Sequence, residues 1–116
     1  MPRRKLDPLP LAAFHILLAL SGGEKHGYGI MREVAEDTDQ KVRLGPGTLY
    51  GSIQTLLDVG YVEEAGERSD PVAGDERRRY YRLSGAGRAA LKTEAERLAA
   101  LLRLAKSKKV LKGAHV

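Results

Sequence analysis

Apolar positions recur along the chain at two different periods, and the change of period marks out its elements. From Leu9 to Leu20 they fall on almost every position, with Pro8 and Pro10 at one end and Gly22-Gly23 at the other. Proline suits the first turn of a helix and glycine the residue past its end, so a first helix is expected here, buried on most of its sides. A second is expected over about 27–37, where Ile30, Met31, Val34 and Ala35 form one stripe and Arg32, Glu33, Glu36 and Asp37 lie opposite. Lys41-Val42-Arg43-Leu44 then alternates basic and apolar, as a brief extended piece would.

A third helix is expected over 46–59. Pro46 suits its first position, Leu49, Ile53, Leu56 and Leu57 recur at helical spacing, and Gly60 suits the residue after its end. At about 100° per residue the apolar set points one way, and Thr48, Gly51, Gln54, Thr55 and Asp58 point the other. Glycine inside a helix costs about 1 kcal/mol relative to alanine. Gly51 is therefore either neutral or leaves room for something to approach the backbone closely, and both readings stay open.

The period then changes to two. Tyr61 to Glu64 and Arg79 to Leu83 read as two strands of a hairpin, joined by a long polar tip containing Ser69, Asp70, Pro71 and Gly74. Alternation places Tyr81 and Leu83 on a core face and Arg78, Tyr80 and Arg82 on a wet, basic one. Ser84 suits the N-cap of a last helix that carries Leu91, Ala95, Leu98, Leu102 and Ala105 at steps of 4, 3, 4 and 3. Leu101 and Leu104 widen this stripe beyond what a small hairpin covers. Self-association through Leu91, Ala95, Leu98, Leu101, Leu102 and Ala105 is expected, with packing back onto the first helix as the plain alternative. The expected division is 1–83 for the body, 84–109 for the last helix within the same unit, and 110–116 for a flexible tail.

Composition narrows the function. The chain of 116 residues is one domain's worth, and it holds no cysteine, which excludes disulfides, thiolate metal sites and a cysteine nucleophile. Leu9 to Leu20 is too short to span a bilayer, and no secretion signal is evident, so a soluble cytoplasmic protein with no membrane partner is expected. The net charge of +5 is carried at the ends, +2 over residues 1–7 and +5 over 103–116, leaving −2 for the body between. A case for nucleic acid must rest on where charge sits.

The glycine-rich "GPGTLYGSI" at 45–53 invites a phosphate-loop reading, but a P-loop needs lysine and then a hydroxyl after its last glycine, and Tyr50, Gly51 and Ser52 occupy those places. The third glycine also comes one place late for a dinucleotide fingerprint. His15, His26 and His115 accompany no nucleophile motif, and His15 in its apolar helix reads as structural. No enzyme, no cofactor and no metal site is expected.

Helix, helix, helix and hairpin is the order of a winged helix-turn-helix, mainly α with a small β-hairpin (an α+β class), here with a C-terminal dimerisation helix. Three blocks carry a closer likeness: "HGYGI" at 26–30, "GPGTLYGSIQTLLDVGYVEE" at 45–64 and "RRYYRLSGAGRAAL" at 78–91. In that order they resemble the PadR-like transcriptional regulators. The resemblance implies a homodimeric repressor of double-stranded DNA whose last helix packs against the partner subunit, often releasing DNA when a small molecule binds. It places Tyr28, Thr48 and Tyr50 where the family contacts DNA or sets its recognition helix.

Helix geometry adds Gly47, Gly51 and Gln54 to the exposed face of the third helix. Gln54 could pair with adenine, or be a solvated side chain; Tyr50 could brace the helix or touch phosphate; Lys41, Arg43, Arg77, Arg78 and Arg79 would be sequence-independent anchors. The chain departs from the family pattern at Gly51, where a bulkier residue is expected, and in a long wing tip carrying Asp70, Asp75 and Glu76. A winged helix turned protein-interaction module, without DNA, is the alternative function.

Overall fold

The computed structural model describes residues 6–70 and 74–112 of the chain. Its helices are α1 (Leu11–Leu20), α2 (Gly27–Asp37), α3 (Pro46–Val59) and α4 (Gly85–Ser107). Between them lie strands β1 (Lys25–His26), β2 (Val62–Asp70) and β3 (Gly74–Leu83), so the chain is the α+β winged helix-turn-helix that the periodicity predicts. Ile16, Leu17 and Leu20 of α1, Ile30 of α2 and Leu49, Ile53 and Leu56 of α3 meet in the centre of the core. Full burial of each such side chain is worth about 1.5–3 kcal/mol, which is why the apolar stripes decide how the three helices are turned. On α1 the burial is less complete than expected, because Leu11 and Leu18 stand exposed on one edge. No helix among the described residues is long and apolar enough to cross a membrane.

The sheet is antiparallel, in the order β1-β3-β2. Two features correct the sequence reading. The two-residue β1, too short to show any periodicity, pairs His26 with Tyr80 and anchors the wing to the start of α2. The wing strands also run well beyond the expected Tyr61–Glu64 and Arg79–Leu83, because the polar run Glu67 to Asp70 keeps pairing with Gly74 to Arg79. A bulge sets residues 65 and 66 against Tyr80, between the pairs Glu64–Tyr81 and Glu67–Arg79. The side chains of Asp70, Asp75 and Glu76 lie outside the described residues, as do 113–116 of the expected tail.

The turn between α2 and α3 is built on Thr38. Its hydroxyl donates to the Val34 carbonyl at 2.8 Å and accepts the Val42 N–H at 3.0 Å. Asp39 and Gln40 both take left-handed conformations (φ 52° and 67°), and Val42 and Leu44 pack against the core. The alternation expected at 41–44 therefore holds, in an irregular loop rather than a strand, with Lys41 and Arg43 exposed.

α3, the wing and α4 meet at a few backbone atoms. Gly60 caps α3 in the left-handed conformation (φ 84°), and the Tyr61 N–H reaches back to the Leu56 carbonyl at 2.9 Å. The Ser84 hydroxyl donates to the Gly60 carbonyl at 2.6 Å, and the Ser84 N–H donates to the Tyr61 carbonyl at 3.1 Å. Ser84 also caps α4 as expected, accepting the Gly87 N–H at 3.0 Å. Gly87 is buried, and a Cβ there would lie 2.8 Å from the Tyr61 carbonyl carbon, so α4 can leave at this angle only from a glycine.

Further along α4, Leu91 is buried in the core and Glu94 is 4% exposed. Glu94 Oε1 accepts the Leu9 N–H at 3.1 Å, and Oε2 takes Arg97 Nε at 3.0 Å, so the carboxylate clips the segment before α1 to α4. The hydrogen bonds from Arg97, and then the Leu9 amide, hold its carboxyl below the ordinary value of 4.5 against the opposing effect of burial. A carboxyl lowered by folding adds stability that is present above its unfolded value and is lost as pH falls through its folded one. Urea unfolding midpoints should therefore drop as the pH is taken below 4.5, and Glu94→Gln should be less stable at neutral pH but lose less on acidification. An identical pH profile for the two proteins would rule the clip out.

Candidate nucleic-acid interface

α3 turns to solvent the face that its periodicity predicts. Gly47, Thr48, Gly51, Gln54 and Thr55 are exposed, while Leu49, Ile53 and Leu56 are buried. Its N-cap is Gly45, which has no side chain to cap with, so the first-turn amides of Gly47 and Thr48 have neither a carbonyl of the helix nor a cap as partner. Among the described residues, nothing approaches within 4 Å of a Cβ placed on Gly45, Gly47 or Gly51. Gly51 is thus not required by packing within the chain, and close approach there would have to come from another molecule. Gln54 Nε2 donates to Asp58 Oδ1 at 3.1 Å one turn on, which holds the amide along the exposed face.

Tyr50 lies at the edge of that face, 48% exposed, and its ring covers Gly27 at the first residue of α2. It also acts electrostatically on the phenol of Tyr81, which burial pushes above its ordinary 10.0 and which the Arg79 guanidinium opposes. Tyr50 therefore braces α3 against α2 while keeping half its surface in solvent. Thr48 stands two residues back, in the first turn of the helix.

The wing arginines do not form one patch. Strand alternation puts Arg77 and Arg79 on the face of Tyr81, and Arg78 with Tyr80 and Arg82 on the other. Arg79 Nε pairs with Glu64 at 3.3 Å, and Arg77 Nη2 donates to the Glu67 carbonyl at 3.0 Å. On the opposite face Arg82 pairs with Glu63 at 3.0 Å and Arg68 with Glu24 at 2.8 Å. These pairs are largely exposed, where such bonds contribute about 0–1 kcal/mol and exchange readily.

Behind Tyr28 stands a column of rings that sequence reasoning missed. His26 Nδ1 accepts the Gly29 N–H at 3.0 Å as the N-cap of α2, so its ring lies flat along Tyr28 at 6.4 Å. It also meets the edge of Tyr80 at 5.2 Å, and Arg68 lies over the Tyr80 ring at 3.8 Å. Arg78 and Arg32 stand 5.6 and 5.9 Å from the Tyr28 centroid, and Tyr28 itself is 43% exposed. Little in "HGY" signals it, since serine, threonine, aspartate and asparagine are the usual N-caps, and the partner Tyr80 comes from a strand pairing that no periodicity announces. Lys41 and Arg43 are exposed on the loop leading into α3.

The residues expected at a dimer seam divide. Leu91 belongs to the chain's own core, which corrects its expected place at a seam, and Leu98 and Ala105 are half-buried. Ala95, Leu101 and Leu102 are exposed, together with Leu104, so the second half of α4 carries an apolar face that the described residues do not cover.

Residues 16–93 match the family model described as "Transcriptional regulator PadR-like family". A transcriptional regulator from Clostridium thermocellum superposes with a TM-score of 0.69 at 24% identity, over 83% of this chain and 87% of that one. The Bacillus subtilis PadR in complex with operator DNA superposes with a TM-score of 0.62 at 21% identity, over 72% of this chain and 46% of that one. Among curated proteins, an uncharacterized 37.1 kDa protein in transposon TN4556 of Streptomyces fradiae is 36% identical over 86 residues. That match spans 74% of this chain and 22% of the relative.

The open space around Gly51 has a direct consequence for stability. Gly51→Ala should raise the free protein's stability by about 1 kcal/mol in chemical denaturation, the difference in helix propensity. A loss of stability would mean that the backbone there is packed after all.

Proposed function

As this chain belongs to the PadR-like family of transcriptional regulators, we propose that it is a homodimeric repressor that reads double-stranded DNA with α3 and steadies it with the β2–β3 wing. The observation that carries this reading is the outer face of α3. An uncapped helix start, small side chains and open space at Gly45, Gly47 and Gly51 allow a rigid polyanion to come close to the backbone, and partial positive charge there favours it. α3 has no cation of its own. The phosphate contacts therefore fall to Lys41 and Arg43 before the helix, and to Arg77, Arg78 and Arg79 on the wing, with Tyr28 and Tyr50 between them.

In this arrangement Gln54 reads a base. Leaving Asp58, its amide can offer both a donor and an acceptor to adenine, a pairing worth about 1–3 kcal/mol of discrimination. Thr48 contacts a phosphate or a thymine methyl. The apolar face of α4, with Ala95, Leu101 and Leu102 exposed and Leu98 and Ala105 half-buried, takes up a second copy, which places two recognition helices on one duplex. For the release by a small molecule that the family resemblance implies, the candidate seat is a cleft of about 290 Å³ between Leu6, Leu9, Tyr61 and the Ala86–Glu94 side of α4.

Titrating the DNA upstream of the protein's own gene in salt tests the reading. Log affinity should fall with log salt at about −0.9 per phosphate neutralised. Gln54→Ala should change the preferred sequence, while Arg79→Ala should weaken all sequences alike and make the slope shallower by about one phosphate. A dimer that shifts no DNA at low salt would favour the protein-interaction module. Leu101→Asp should give a folded monomer in sedimentation, since Leu101 is 48% exposed in the single chain.

A further inference from the structure

The geometry points to Gly27 as the residue that positions the Tyr50 hydroxyl for DNA, an inference that rests on the DNA-binding reading above. Gly27 is buried at the first position of α2. A Cβ placed on it would lie 2.8 Å from Tyr50 Cζ and 2.9 Å from Cε1, with the phenol oxygen nearer still. These distances are shorter than any real contact, so a side chain at 27 has to displace the ring. The displaced atoms are the far end of a rotatable side chain, and the ring can swing away while the two helices stay in place.

Without this seat Tyr50 would be a half-exposed side chain free to turn about two torsions. With it, the hydroxyl end of the ring and its Cε1 edge rest on the bare backbone of α2, while about half of the residue stays in solvent. Its phenol is then held at the first residue of α2, and the residue before it, His26, pairs with Tyr80 of β3. The seated ring from α3 thus lies at the start of α2 beside β3, with Arg79 one residue along that strand from Tyr80. A phosphate arriving there finds a donor already oriented, and the entropy of ordering that side chain has been met during folding. The other glycines near this surface differ, since Gly45, Gly47 and Gly51 have nothing of the described chain against them.

A cycle of four full-length proteins tests this: wild type, Gly27→Ala, Tyr50→Phe and the double variant, each titrated with the protein's own upstream DNA. Tyr50→Phe should weaken binding about tenfold when residue 27 is glycine, the size of one well-placed hydrogen bond, and by less than about twofold when it is alanine. The hydroxyl oxygen is itself part of the seated edge, so the unfolding midpoint of each variant is measured as well: a purely structural role for Gly27 would move stability in step with affinity, whereas positioning of the donor moves affinity alone. Equal effects of Tyr50→Phe in both backgrounds, or no effect in either, would overturn the inference. An NMR cross-peak between the Gly27 Hα protons and the Tyr50 ring is expected in the wild type, and its absence would overturn the seat even if Gly27→Ala fails to fold. If wild type binds no DNA, it is the DNA-binding reading that fails, and the cross-peak alone then decides whether Gly27 seats the ring.

Discussion

The backbone of Tyr61 is the constraint on which the arrangement depends. Its N–H closes the end of α3, its carbonyl receives Ser84 at the end of the wing, and Gly87 of α4 is pressed against that same carbonyl. Three consecutive elements, α3, the wing and α4, are thus referred to the backbone of one residue. A helix that is only packed can roll or slide by small amounts, but one that is hydrogen-bonded at its first turn to the end of another has little such freedom. The direction of α4 and that of α3 are therefore one quantity, and the apolar half of α4 projects from the body at an angle that α3 already determines.

On the side away from α4 the organisation is looser and more polar. α2 meets the wing through rings, with His26 between Tyr28 and Tyr80, and meets α3 through the Tyr50 ring on Gly27. These contacts hold the outer surface in register without filling the space beside Gly47 and Gly51. A surface left open by small residues and framed by half-exposed tyrosines suits a large, regular partner better than a small molecule.

The helices were legible because each hides a wide apolar stripe, and the endings of α3 and α4 because Pro46, Gly60 and Ser84 each do a job that only a few residue types can do. β1 was not legible, since two residues cannot display a period. The length of the wing was missed for a related reason: Glu67 to Asp70 pair through backbone groups that every residue carries, with no buried face to mark them. At the candidate interface the exposed set on α3 followed from counting turns, whereas the support behind it did not. Thr38 acts through hydrogen bonds to residues four away that leave no periodic mark, His26 and Tyr80 act through a ring contact between segments distant in the chain, and Leu91 fell in the core because the last helix begins against the body before it leaves it.

The wing arginines are already partnered by the chain's own carboxylates, Arg79 with Glu64 and Arg82 with Glu63. On the DNA-binding reading, an anion that approaches this surface has to compete with a resident carboxylate, so the wing would work as an exchanger rather than as a sponge. Stray polyanions that meet one arginine at a time gain almost nothing from the trade. A duplex that presents several phosphates in the right places gains from all the exchanges at once, so selectivity would begin before any base is read.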